Sequence, residues 1–200
     1  MLVRFSGPAA AGIYSAAFRL ASLILLINSS FTVTLLPEIF RLGRLELLKN
    51  FFKKFLVMTL IINICLVPLV YIGPFLIKLI YGAAYADAGG VFQILVFAFM
   101  FMITISALEM IIYALNKPQL FALMMVVSVI LSFGANYLLI PVLGARGAAW
   151  ALLGVKLFGI IYLLITILEI FSSKRIVFYK EARLEVEGAL ATEEKTALGF

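Results

Sequence analysis

The chain has 200 residues, 65% of them hydrophobic and only 13% charged, with a mean hydropathy of +1.19. Soluble domains normally carry about 25% charge, so the composition excludes that class and defines an integral membrane protein. The formal charge of +6 comes without a basic stripe interleaved with base-stacking aromatics, so no nucleic-acid partner is implied. With no histidine, and with the single cysteine, Cys65, in an apolar run, neither a disulfide framework, a zinc site nor histidine-based catalysis is expected.

The N-terminal stretch MLVRFSGPAAAG does not read as a signal peptide, because its Arg4 is followed by Ser-Gly-Pro instead of an apolar core. Gly7-Pro8 reads as a turn, and residues 1–12 read as the end of a preceding helix and its loop. The first span is expected over 13–36. It carries Arg19, whose insertion costs roughly 2.5–3.5 kcal/mol against about 0.3–0.6 kcal/mol returned by each central Leu or Ile. At about 100° per residue, Ser15, Arg19, Ser22, Ser29 and Ser30 share one sector, so this helix has a wet stripe.

Pro37 is expected to stop that span, and Arg41, Arg44, Lys49, Lys53 and Lys54 follow as a basic, amphipathic connector suited to anionic headgroups. The second span is expected over 55–80, kinked at Pro68 and turned into an interfacial piece after Gly73-Pro74, with Lys78 snorkelling. Residues 82–90 form a short polar connection, with Asp87 in it. The third span, 91–115, carries Glu109 with Ser106 and Tyr113 one turn to either side. An intramembrane acid is either a proton or cation site or a structural hydrogen bond near the interface. Asn116-Lys117-Pro118 then forces a turn.

The fourth span, 119–140, places Ser128, Ser132 and Asn136 at four-residue intervals, a stripe that faces protein or water. Residues 141–146 make a tight hairpin into the fifth span, 147–171, in which Lys156 lies roughly 13 Å deep at 1.5 Å per residue. From Ser172 onwards the chain is charged, mixed in sign and low in aromatics, as in a partly helical or disordered cytoplasmic tail. The connector, the 116–118 turn and the tail hold eleven Lys and Arg, against Arg4, Lys78 and Arg146 on the opposite side, so the C-terminus is expected inside. Five spans then put the N-terminus outside, which suggests a helix before residue 1. The expected fold is therefore all-α, a polytopic transmembrane bundle over 13–171.

The residues also resemble a family. Gly12-Ile-Tyr-Ser-Ala-Ala-Phe-Arg19-Leu20, Leu36-Pro37-Glu38, Tyr81-Gly82 with Tyr85, Ala88 and Gln93-Ile94-Leu95, and the run from Asn136 through Pro141 and Gly144 to Ala149 are similar, in order and spacing, to polysaccharide-transport flippases. These belong to the multidrug, oligosaccharidyl-lipid and polysaccharide exporter superfamily. The resemblance implies two helix bundles around a central cavity with alternating access, this chain supplying most of the second and lacking the first, as in a truncated fragment. It implies movement of a polyprenyl-pyrophosphate-linked oligosaccharide across the cell membrane. The partners would be membrane lipid and either the missing N-terminal half or a second copy in a homodimer. Arg19 and Lys156 would meet the pyrophosphate, with Ser15, Ser22, Glu109 and Asn136 as further cavity candidates. Arg19 has the structural alternative of bonding a neighbouring helix's carbonyls, and Ser128, Ser132 and Asn136 that of helix-packing glue. No catalytic residue, cofactor or metal is called for. A cation- or proton-coupled drug exporter of the same fold, supported by Glu109, is the rival reading. A membrane glycosyltransferase or polymerase, with only Asp87 to support it, stands further off.

Overall fold

The computed structural model describes residues 1–30, 45–114 and 117–172, and among these it is all-helical. The expected stop at Pro37, the basic side chains of the 37–53 connector, Leu115-Asn116 and the tail from 173 lie outside what is described. The chain divides into a unit of Met1–Leu163 and a second from Leu164, whose described part is the end of the last helix.

Helix α1 (Leu2–Ala21) is broken at Gly7, which has φ of 80°. Only glycine takes that conformation without a steric penalty, and Pro8 restarts the helix where its missing N–H is not needed. Past Ala21 the axis bends by 41° into α2 (Ile24–Ser30). The span expected over 13–36 is thus bent within its described part, and residues 31–36 lie outside what is described.

Helix α3 (Leu45–Tyr81) runs without interruption through Pro68 and Pro74, where an interfacial turn was expected. The reason lies across the interface. A proline has no N–H for the carbonyl four residues before it, and the Val70 carbonyl that Pro74 leaves open accepts a 3.1 Å hydrogen bond from Gln93 Nε2. The fully buried Phe92 ring sits directly on Gly73, and Pro74 packs on Gly89, so the two helices interlock at this point.

After a short 3-10 turn (Ala83–Tyr85), helix α4 (Ala88–Ala114) forms the centre of the first unit, packed most extensively on α3 and next on α1. Its best spanning window is 61% buried, against 22% for α3, and it is apolar on every side as a central helix should be. Phe92, Leu95, Val96 and Phe99 pack against Ala17, Ala21, Val70 and Ile77. The outer face of α3, at Leu56, Leu60, Ile64, Val67, Tyr71, Phe75 and Leu79, is exposed and without charge, at the three- and four-residue spacing of a lipid-facing stripe.

Helix α5 (Pro118–Ser172) breaks at Gly144, with φ of 56°. Pro141 is carried inside the first arm instead of opening the turn. The arms fold back on each other: Tyr162 Oη donates to the Leu120 carbonyl at 3.1 Å, Gly159 lies against Met124, and Gly147 against the Leu139 backbone. Ser6 Oγ donates to the Ile140 carbonyl at 3.1 Å, supplying one of the partners that the end of the first arm lacks. By length and composition the described chain has three helices able to cross a membrane, or up to four if the bent pair α1–α2 is one span.

Candidate functional site

The polar residues inside the apolar helices fall into separate groups, and two contacts set their depth. Phe18 packs edge-on to Phe99 with ring centroids 5.7 Å apart, which places Arg19 beside residue 100 of α4. Gly159 lies against Ile105, which places Lys156, three residues earlier, near residue 102. Both cations therefore stand about halfway along α4, about 20 Å from its start at 1.5 Å per residue. This is the depth at which a bare charge is most costly.

Their surroundings differ. Ser15 and Arg19 are exposed, and Ser22 half-buried, on a face of α1 that no described helix covers. The backs of those turns, Ala16, Ala17 and Ala21, are buried against the rest of the unit. Small residues on one side let α1 approach α4 closely, and this fixes the guanidinium on the other. Ser22 Oγ donates to the Arg19 carbonyl at 2.8 Å, so its hydroxyl is engaged on the backbone.

Lys156 is half-buried on the side of the second α5 arm that also carries the buried Ala145, Ala149, Gly159 and Leu163. Glu109 on α4 lies within electrostatic reach of it, with the Tyr113 side chain one turn on. Tyr113 in turn packs on Phe121 of the first arm, ring centroids 5.8 Å apart. Two residues expected to serve a cargo thus share the α4–α5 seam, Glu109 about two turns beyond the level of Lys156 and coupled to it only by long-range charge.

Asn136 is half-buried, as are Ser128 and Ser132, while Val129, Ile130, Phe133 and Tyr137 around them are exposed. The stripe is turned inward, and Asn136 Nδ2 donates within its own helix to the Ser132 carbonyl at 2.7 Å and to Ser132 Oγ at 3.3 Å. The structure does not bring Asn136 to Arg19.

A polar contact that the sequence reading passed over lies at the same depth as the two cations. Asn63 Nδ2 donates to Thr104 Oγ1 at 3.1 Å, and Thr104 Oγ1 donates to the Met100 carbonyl at 3.2 Å. Its signal was a lone amide in the run Ile61-Ile-Asn-Ile-Cys-Leu66. Among the described residues no group of three His, Cys, Asp or Glu side chains gathers where it could hold a metal ion. What the arrangement offers chemically is one uncovered guanidinium flanked by hydroxyls on α1, and an acid and a base within electrostatic reach of each other at the α4–α5 seam. No family model, curated protein or solved structure matches the chain.

Proposed function

We propose that this chain is part of a membrane transporter that flips lipid-linked oligosaccharide from the cytoplasmic to the outer leaflet of the cell membrane. The observation that carries the reading is Arg19. Its guanidinium stands at mid-depth on an uncovered α1 face, whereas α3 presents an outer stripe of uncharged, mostly aliphatic and aromatic side chains. Lipid tails offer a guanidinium no hydrogen bonds, and a doubly anionic headgroup offers several. Crossings by α1–α2, α3, α4 and the two arms of α5 would make five spans with the C-terminus inside, in keeping with the charge asymmetry.

The uncovered face would look into a cavity closed by a second bundle, either a separate N-terminal half or another copy of the chain. The headgroup would exchange water for Arg19, Ser15 and their counterparts while the bundles rock, and the polyprenyl tail would stay in lipid. No bond is made or broken in the cargo, so no catalytic group is needed. Lys156, half-buried at the α4–α5 seam with Glu109 in electrostatic reach, would position helices instead of gripping the pyrophosphate.

The same pair supports a second reading, a cation- or proton-coupled exporter of this fold, because an acid at the α4–α5 seam is where a coupling ion would bind. Complementation separates the two. A strain lacking its oligosaccharide flippase should regain surface polysaccharide when this chain is expressed with its second bundle. Drug resistance without polysaccharide would instead favour the exporter.

A further inference from the structure

The break between α1 and α2 has no proline or glycine to force it, since residues 19–25 read Arg-Leu-Ala-Ser-Leu-Ile-Leu. Kinks in long helices usually have such a cause, or a side chain that enters the hydrogen-bond ladder. Here the ladder slips. Leu23 N–H bonds to the Leu20 carbonyl at 3.4 Å, and Leu25 and Leu26 donate to Ser22 and Leu23 at 2.9 and 3.2 Å, all three residues back instead of four. The Arg19 carbonyl, which Leu23 N–H would otherwise take, receives the Ser22 hydroxyl at 2.8 Å. In a straight helix Leu23 N–H would return to Arg19, whereas a serine hydroxyl bonded back onto a helix carbonyl favours the bend.

The carbonyl thus has one good donor in either form, and the bend costs it no hydrogen bond. Ile24, at the root of α2, is buried and can act as a pivot, while Leu26, Ile27, Ser29 and Ser30 beyond it are exposed and leave the segment room to move. Ser29 and Ser30 both donate to the Leu26 carbonyl, at 3.0 and 2.9 Å, so these two hydroxyl bonds move with the arm.

We propose that Ser22 is the latch of a hinge, which lets the α1–α2 span alternate between a bent form, with Ser22 Oγ on the Arg19 carbonyl, and a straight form, with Leu23 N–H on it. Switching would swing α2 against the turn that carries Arg19. A segment of about 12 Å from Ser22 to Ser30, rotated through 41°, moves its tip by about 8 Å. That is a displacement on the scale of a gate. The hinge does not depend on what the chain transports.

The test is a distance between spin labels at Ser29, on α2, and Val126, on the first α5 arm, in full-length Cys65→Ser protein in lipid bilayers. The parent should show two populations separated by up to about 8 Å. Ser22→Ala should shift their ratio toward the straight form by about three- to tenfold, the range expected for one intramembrane hydrogen bond. Ser22→Thr, which keeps the hydroxyl, should preserve the parental ratio. Leu23→Pro removes the N–H that the straight form needs and should leave only the bent distance. A single distance common to the parent, Ser22→Ala and Leu23→Pro would overturn the hinge. So would two populations whose ratio Ser22→Ala leaves unchanged while Ser22→Thr confirms a folded protein. Because no cargo is present, either result stands whether or not the chain flips a lipid-linked sugar.

Discussion

Gln93→Leu tests how α3 survives its second proline. The substitution removes the amide that donates to the Val70 carbonyl at 3.1 Å. Pro74 cannot replace that donor, and the neighbouring Val70, Ile77, Phe92 and Leu95 are buried, so water cannot either. A buried acceptor left without a partner costs about 1–3 kcal/mol, and hydrogen bonds between membrane helices average about 0.6 with a ceiling near 1.7 kcal/mol. The expected loss is therefore about 1–2 kcal/mol. Pro74→Ala restores an N–H four residues after Val70, and in that background Gln93→Leu should cost little. The assay is a double-mutant cycle by denaturant unfolding in mixed micelles, which cancels the packing that Pro74→Ala loses against Gly89. A coupling of about 1 kcal/mol or more is expected. Strict additivity would refute the account of why α3 continues to Tyr81.

Gly73→Ala places a methyl group into the buried Phe92 ring, which has nowhere to go, and should destabilise the same interface by about 1–3 kcal/mol in the same assay; Gly12→Ala, with open space around it, should not. Lys156→Ala removes the cation within electrostatic reach of Glu109 and should lower folded yield on size-exclusion chromatography, and adding Glu109→Gln should restore much of it. Because the two act through long-range charge and not a contact pair, the effect should fall well below the roughly 3–5 kcal/mol of a broken buried ion pair. For topology, a cysteine at Ala86 in a Cys65→Ser background should react with a membrane-impermeant thiol reagent in intact cells, while cysteines in 37–54 and 173–200 should be protected. The reverse pattern would invert the orientation.

The helical class was legible because hydropathy alone demands it: a chain this apolar must satisfy its backbone within helices. The turns at Gly7 and Gly144 were legible because glycine, beside Pro8 at the first and three residues after Pro141 at the second, reports a backbone preference that needs no partner. The continuity of α3 was not, because the donor that rescues Val70 comes from Gln93, 23 residues away, and no local pattern pairs them. The α1–α2 break was hidden for a related reason. Ser22 looks like one more member of a polar stripe, and only the geometry shows its hydroxyl replacing a backbone bond. Of the site residues, the amphipathic placement of Ser15 and Arg19 followed from helical periodicity, as did the inward turn of Ser128, Ser132 and Asn136. That Lys156 and Glu109 share one seam depends on the register between α4 and α5, which the sequence does not encode in any single helix.

The transport reading rests on one cation, so the decisive measurement is translocation of a fluorescent lipid-linked oligosaccharide by proteoliposomes holding the chain with its second bundle. Arg19→Ala, Arg19→Lys and Leu23→Ala would be compared at matched membrane abundance. Arg19→Ala should abolish translocation, Arg19→Lys should retain part of it because the charge survives without the bidentate fork, and Leu23→Ala should behave as the parent. Normal translocation by Arg19→Ala, or loss of folded protein in Arg19→Ala and Arg19→Lys alike, would contradict a cargo-binding Arg19 and the flippase reading built on it.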